Sequence, residues 1–128
     1  MAESELYEKG MKLRRQVLGD EYVDKALANS DEFSADFQKM VTEWCWGASW
    51  ARGVLSLKQR SLNNLCLLSA LNRQTEFETH LRGALRNGCT RDEIKETLIQ
   101  IAVYAGIPAG VEAFRIARKV LAEADKGA

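Results

Sequence analysis

Apolar residues recur along this chain at steps of three and four, the signature of helices with one buried face. Over 4–18, Leu6, Leu13 and Val17 fall roughly on one face, and Gly19 reads as a stop. A short helix is expected over 21–28. From 32 to 46, Phe33, Phe37, Met40, Val41 and Trp44 form a strong amphipathic stripe. The stretch 47-GASWARGVLS-56 breaks that period and predicts a loop carrying Trp50 and Arg52. Next, 56-SLKQ-59 has the form of a capping box. It opens a helix over about 57–71 whose Leu62, Leu65, Cys66, Leu68 and Leu71 make it apolar enough to be largely buried.

The segment 75-TEFETHLRGAL-85 lies within a helix expected over 74–86, closed by Asn87-Gly88. A second capping box, 90-TRDE-93, starts a helix to about 105 through Ile94, Leu98, Ile101 and Ala102. The breaker 106-GIPAG-110 interrupts it. A last helix is expected over about 109–124 with Ala113, Ala117, Val120 and Leu121 inward. Nothing alternates with period two, so the expected fold is all-α: one domain over 1–128, a bundle of about six helices.

Composition narrows the function classes. The 128 residues carry 18 basic and 18 acidic side chains, a formal charge of +0, with no single-sign tract. Phosphate binding needs a concentrated basic face, so nucleic acid is not expected as a partner. The start, MAESELYEKG, is too polar for a signal peptide, and no 18-residue apolar run is long enough to span a bilayer. Cys45, Cys66 and Cys89, odd in number and widely spaced, fit free thiols in a reducing cytoplasm. Neither a zinc-ligand spacing nor a phosphate loop occurs, so no metal or cofactor is implied.

Four features carry candidate chemistry. His80, the only histidine, falls on the flank of the apolar face formed by Phe77, Leu81, Ala84 and Leu85. It is either a catalytic acid/base or a helix-edge side chain bonded to a neighbour. In 44-WCWGASWAR-52, Trp46 and Trp50 followed by Arg52 suit an apolar pocket wall with a cation at its rim. The alternative puts Trp44 in the core and Trp46 or Trp50 in a subunit contact. Arg52 and Arg60 offer planar forks for a carboxylate, or are solvated. In 104-YAGIPAG-110, Tyr104 and the helix start at Pro108 suit an oxyanion, or form a plain interhelical turn.

The segments 7-YEKGMKLRRQVLGDEYVDKAL-27, 33-FSADFQKMVTEWCWG-47, 60-RSLNNLCLLSALNR-73 and 80-HLRGALRNGCTRDEIKETLIQIAVYAGIPA-109, with Phe114, together resemble the carboxymuconolactone decarboxylase family. The family belongs to the alkyl hydroperoxidase D-like superfamily, and residues 30–115 are the most family-like. The resemblance implies an all-α fold, ring-like homo-oligomers (hexamer or trimer) and active sites near subunit contacts. It also implies cofactor-free conversion of γ-carboxymuconolactone to 3-oxoadipate enol-lactone and CO2 in protocatechuate breakdown. The partner would be a small carboxylate or lactone. His80 would supply the proton, its ordinary pKa being near working pH. Arg52 or Arg60 would clamp a carboxylate, and backbone near Tyr104 and Pro108 would meet the oxyanion.

Departures from the family pattern fall at Ala48, where an acid is common, and at Val111 and Arg115, where asparagine and histidine are common. Glu112 is also unusual. They raise two further expectations: a changed substrate, or a non-catalytic homologue that binds small acids. A superfamily peroxidase is another alternative, but its paired cysteines would sit where Arg73 and Glu76 stand.

Overall fold

The computed structural model describes residues 4–127. Among them are seven α-helices and one π-helical segment, and no strand. The fold is all-α. The chain divides into two compact units, with the boundary between Leu57 and Lys58.

In the first unit, α1 (Glu5–Leu18) is capped by the Ser4 hydroxyl, which accepts from the Tyr7 amide at 3.1 Å. Gly19, at φ 91°, ends it in a conformation that side chains resist. Helix α2 (Asp20–Ala28) follows, then α3 (Ala35–Met40), which passes without a break into the π-helical segment Val41–Trp50. The expected loop over 47–56 is therefore corrected: helical winding continues to Trp50, and only 51–56 is irregular.

Two glycines explain why this segment packs as it does. A Cβ on Gly10 would lie 2.0 Å from the Thr42 carbonyl oxygen, and one on Gly47 would lie 2.3 Å from the Leu6 carbonyl oxygen. The backbones of α1 and the π-segment touch there, and only glycine allows it. The core of this unit is Val17, Leu18, Val23, Trp46 and Trp50, with Met11, Leu13, Leu27, Val41 and Leu57 against it. Arg14 is 5% exposed, and its Nη1 donates to Gln38 Oε1 at 3.1 Å and Thr42 Oγ1 at 3.2 Å. Burial lowers its pKa, while nearby Tyr22 and Cys45 act against that.

The stripe read over 32–46 does not face inward. Phe33, Phe37, Met40 and Trp44 are all exposed, and Val41 is half-buried. A period-3.6 stripe reveals one apolar face but not what covers it.

In the second unit, α4 (Leu57–Ala70) and α5 (Gln74–Arg86) run antiparallel, joined by a turn in which Asn72 takes φ 59°. The register is set by Asn87 Nδ2 donating to the buried Ser61 hydroxyl at 2.8 Å. Helix α6 (Arg91–Ala105) opens with the expected capping box. The Thr90 hydroxyl accepts from the Glu93 amide at 3.0 Å, and the Glu93 carboxylate accepts from the Thr90 amide at 2.8 Å. Gly106, at φ 109°, turns the chain into α7 (Ile107–Gly127), which starts two residues before the expected 109. Gly110 packs on α6, where a Cβ would meet that of Ala102 at 2.5 Å. Leu65, Phe77, Leu81, Ile94, Leu98, Ile101, Ile116 and Val120 centre the core. Leu71, expected inward, is 66% exposed.

Candidate functional site

Helix α5 sets the place of the single imidazole. Phe77, Leu81 and Ala84 anchor one face in the core, so His80 is carried on the flank of that face, half-buried. Asn64 reaches it from α4, with Nδ2 3.4 Å from His80 Nδ1. Burial lowers the His80 pKa from the ordinary 6.5 to about 4. At neutral pH the ring is therefore uncharged. The expectation that it titrates near working pH is corrected, because desolvation outweighs everything else acting on the ring.

Arg60 lies one turn before Asn64 on α4, so the two share a helical face. Asn64 was not singled out in the sequence, although that spacing from Arg60 was its available signal. Arg52 lies in the first unit, exposed, just past the π-segment; its backbone amide donates to the Ser49 carbonyl at 3.1 Å.

The alternative that puts Trp44 in the core and Trp46 or Trp50 in a subunit contact is corrected. Trp44 is 67% exposed, whereas Trp46 and Trp50 are buried at 3% and 5%. The last two stack with centroids 4.7 Å apart and planes 28° from parallel, within the first unit's core. Four residues apart in a helical segment, positions 46 and 50 fall on one face.

The second unit also holds a cavity of about 320 Å³ between the α4–α5 turn and the start of α7. Asn72, Arg73 and Gln74 supply its polar wall, Leu68, Phe77 and Ile116 its apolar wall, and Pro108 and Glu112 its rim on α7. Of the residues singled out in the sequence, Pro108 lines it; Tyr104 stands 84% exposed on α6. Arg73 is a cation at this cavity that sequence pattern alone did not single out. Among the departures, Glu112 faces the cavity and is ion-paired with Arg115 one turn on, while Val111 is exposed. Of the changed positions, Glu112 alone lines this cavity; Val111 and Arg115 line a separate recess on α7 with Ile107 and Phe114, and Ala48 is exposed in the first unit.

The thiols bear on the peroxidase alternative. Burial raises the pKa of Cys45, Cys66 and Cys89, although Arg14 opposes the rise at Cys45. A peroxidatic cysteine needs the reverse, since the thiolate is the nucleophile. Among the described residues, no group of three His, Cys, Asp or Glu side chains is placed to hold a metal ion.

Comparison with known proteins shows the lineage. The profile of the carboxymuconolactone decarboxylase family matches residues 35–119. The chain is 42% identical over 123 residues to the nitrosuccinic acid decarboxylase npaB of Metarhizium robertsii, covering 95% of this chain and 86% of that protein. It is 38% identical over 120 residues to the 4-carboxymuconolactone decarboxylase of Acinetobacter baylyi, covering 94% and 90% respectively. The family profile and two decarboxylases matched nearly end to end agree: the chain belongs to the carboxymuconolactone decarboxylase family.

Proposed function

We propose that this protein is a decarboxylase of a small dicarboxylate whose leaving carboxylate sits on a carbon joined to an electron sink. The observation that carries this reading is the near full-length similarity to two decarboxylases with chemically different named substrates. Those two molecules share one logic. In carboxymuconolactone the carboxylate is lost from a carbon conjugated, through a double bond, to the lactone carbonyl. In a nitrosuccinate, one carboxylate is on the carbon that bears the nitro group. In either case the C–CO2 bond breaks, CO2 leaves, and its electron pair delocalises onto oxygen. A proton then replaces CO2 on carbon. The sink is within the substrate, so the reaction needs no cofactor to accept electrons.

The protein's task is to hold the dianion, stabilise the oxyanion and limit competing reactions with water. Arg60 or Arg52 is the proposed carboxylate clamp. His80 is the proposed donor to the oxyanion, acting as a neutral ring in view of its lowered pKa. The proton that ends on carbon comes ultimately from water. Tyr104 and the Ile107 and Ala109 amides at the start of α7 are further proposed donors. Trp46 and Trp50, as a rigid buried stack, are proposed to back the substrate wall rather than to move with it. Glu112, paired with Arg115, is the proposed reason that the preferred acid differs from carboxymuconolactone.

The reading extends to assembly and place. Ile99, Val103, Ile107 and Val111 expose apolar side chains on α6 and α7, which supports self-association; the proposed assembly is a homo-oligomer, hexamer or trimer, and the proposed place is the cytoplasm. No helix among the described residues is long and apolar enough to cross a membrane.

The test is CO2 release from both named acids by purified protein without added cofactor. Release from at least one, lost in the His80→Ala variant by roughly 10²–10³-fold, is the expected result. No release from either, alongside an active reference decarboxylase, contradicts the proposal.

A further inference from the structure

We propose that Asn64 is the positioning residue of this site: its side-chain amide donates to Nδ1 of His80 and fixes the neutral ring with its proton on Nε2. The inference builds on the reading of His80 as the oxyanion donor. An amide nitrogen can only donate, so with Asn64 Nδ2 facing the ring at 3.4 Å, Nδ1 must accept. A neutral imidazole that accepts at one nitrogen carries its proton on the other.

The same contact opposes the imidazolium. A protonated ring would bear hydrogen on both nitrogens and would direct Nδ1–H at the amide hydrogens of Asn64. Desolvation already favours the neutral form, so contact and burial act in one direction. The outcome is a ring that keeps one donor, at Nε2, over the working pH range. An oxyanion developing as CO2 leaves needs a donor that neither tautomerises away nor takes up a proton from solvent. Asn64 and Leu68 lie one turn apart on α4, as do Phe77 and His80 on α5. Leu68 and Phe77 line the 320 Å³ cavity, so the Asn64–His80 pair is one turn from that cavity on both helices.

Because His80 is the only histidine, the imidazole region of a ¹H–¹⁵N correlation spectrum of the ¹⁵N-labelled full chain reports this ring alone. At neutral pH the wild type is expected to show an unprotonated Nδ1 and a protonated Nε2. Asn64→Asp replaces the donor by a carboxylate that only accepts, and is expected to move the proton to Nδ1. Turnover of the best substrate should fall roughly 10²-fold with KM little changed. Asn64→Leu removes the donor without adding charge and is expected to give both tautomers together. A wild-type ring protonated at Nδ1, or a wild-type signature kept in both variants, overturns the assignment. Wild-type protein with the expected ring signature but no CO2 release overturns the reaction reading and supports the Asn64 assignment.

Discussion

At the scale of one residue, the governing quantity is the free-energy cost of charging a buried imidazole. His80 titrates near 4 in the folded chain against 6.5 ordinarily. The unfolded chain therefore binds the proton more readily, and between those values acidification favours unfolding. The stability tied to this residue is complete above about pH 6.5. It is lost progressively as pH falls toward 4, and amounts to roughly 3 kcal/mol at most. In His80→Gln that slope should flatten over the same window in urea denaturation at stepped pH. An unchanged slope would show that the ring is not desolvated. Kinetics carry the second consequence: kcat/KM should be level above about pH 5 and fall below it. A tenfold fall for each pH unit above 5 would instead mark the imidazolium as the acid. The sequence placed His80 on the flank of an apolar face, and the structure agrees. Its lowered pKa was not legible, because desolvation depends on what surrounds the flank.

At the scale of one element, the π-helical segment is where pattern reading fell short. The capping box at Thr90 and the stop at Gly19 are local chemistry, encoded within a few residues, and both were legible. The packing of Val41–Trp50 on α1 rests instead on backbone approach between Gly10 and Thr42 and between Gly47 and Leu6, distant in sequence. Periodicity templates contain no such information, so periodicity alone puts Trp50 in a loop and leaves Trp44 a candidate for the core. Gly10→Ala and Gly47→Ala should each destabilise by about 3 kcal/mol, since backbone must shift to admit the methyl. By contrast, a Cβ on Gly53 meets nothing within 4 Å, and its alanine variant should stay within about 0.5 kcal/mol of wild type. Equal melting of all three variants would contradict the backbone-contact account. Thr90→Ala should cost about 1 kcal/mol through loss of the cap on α6.

At the scale of the whole molecule, the chain exposes more large apolar side chains than its own core uses up. Phe33, at 97% exposure, belongs to the stripe that periodicity reads over 32–46, and Val103, at 70%, lies on α6 away from its buried Ile94, Leu98 and Ile101. Sequence pattern identifies an apolar face, and only the tertiary structure shows whether the same chain covers it. Val103→Glu and Val111→Glu together should yield a smaller species by light scattering, with helical content retained. Assembly unchanged by both substitutions would place the subunit contact elsewhere. Lineage and all-α class were the most legible properties, since ordered motifs run through most of the chain. The substrate was the least legible, because departures from the common pattern such as Glu112 carry no signature of the acid they would admit. The most direct test remains CO2 evolution from carboxymuconolactone and from nitrosuccinate, measured for wild type and His80→Ala side by side. The account predicts evolution from at least one acid and its loss by roughly 10²–10³-fold in the variant; no evolution from either, or an equal rate in the variant, would contradict it.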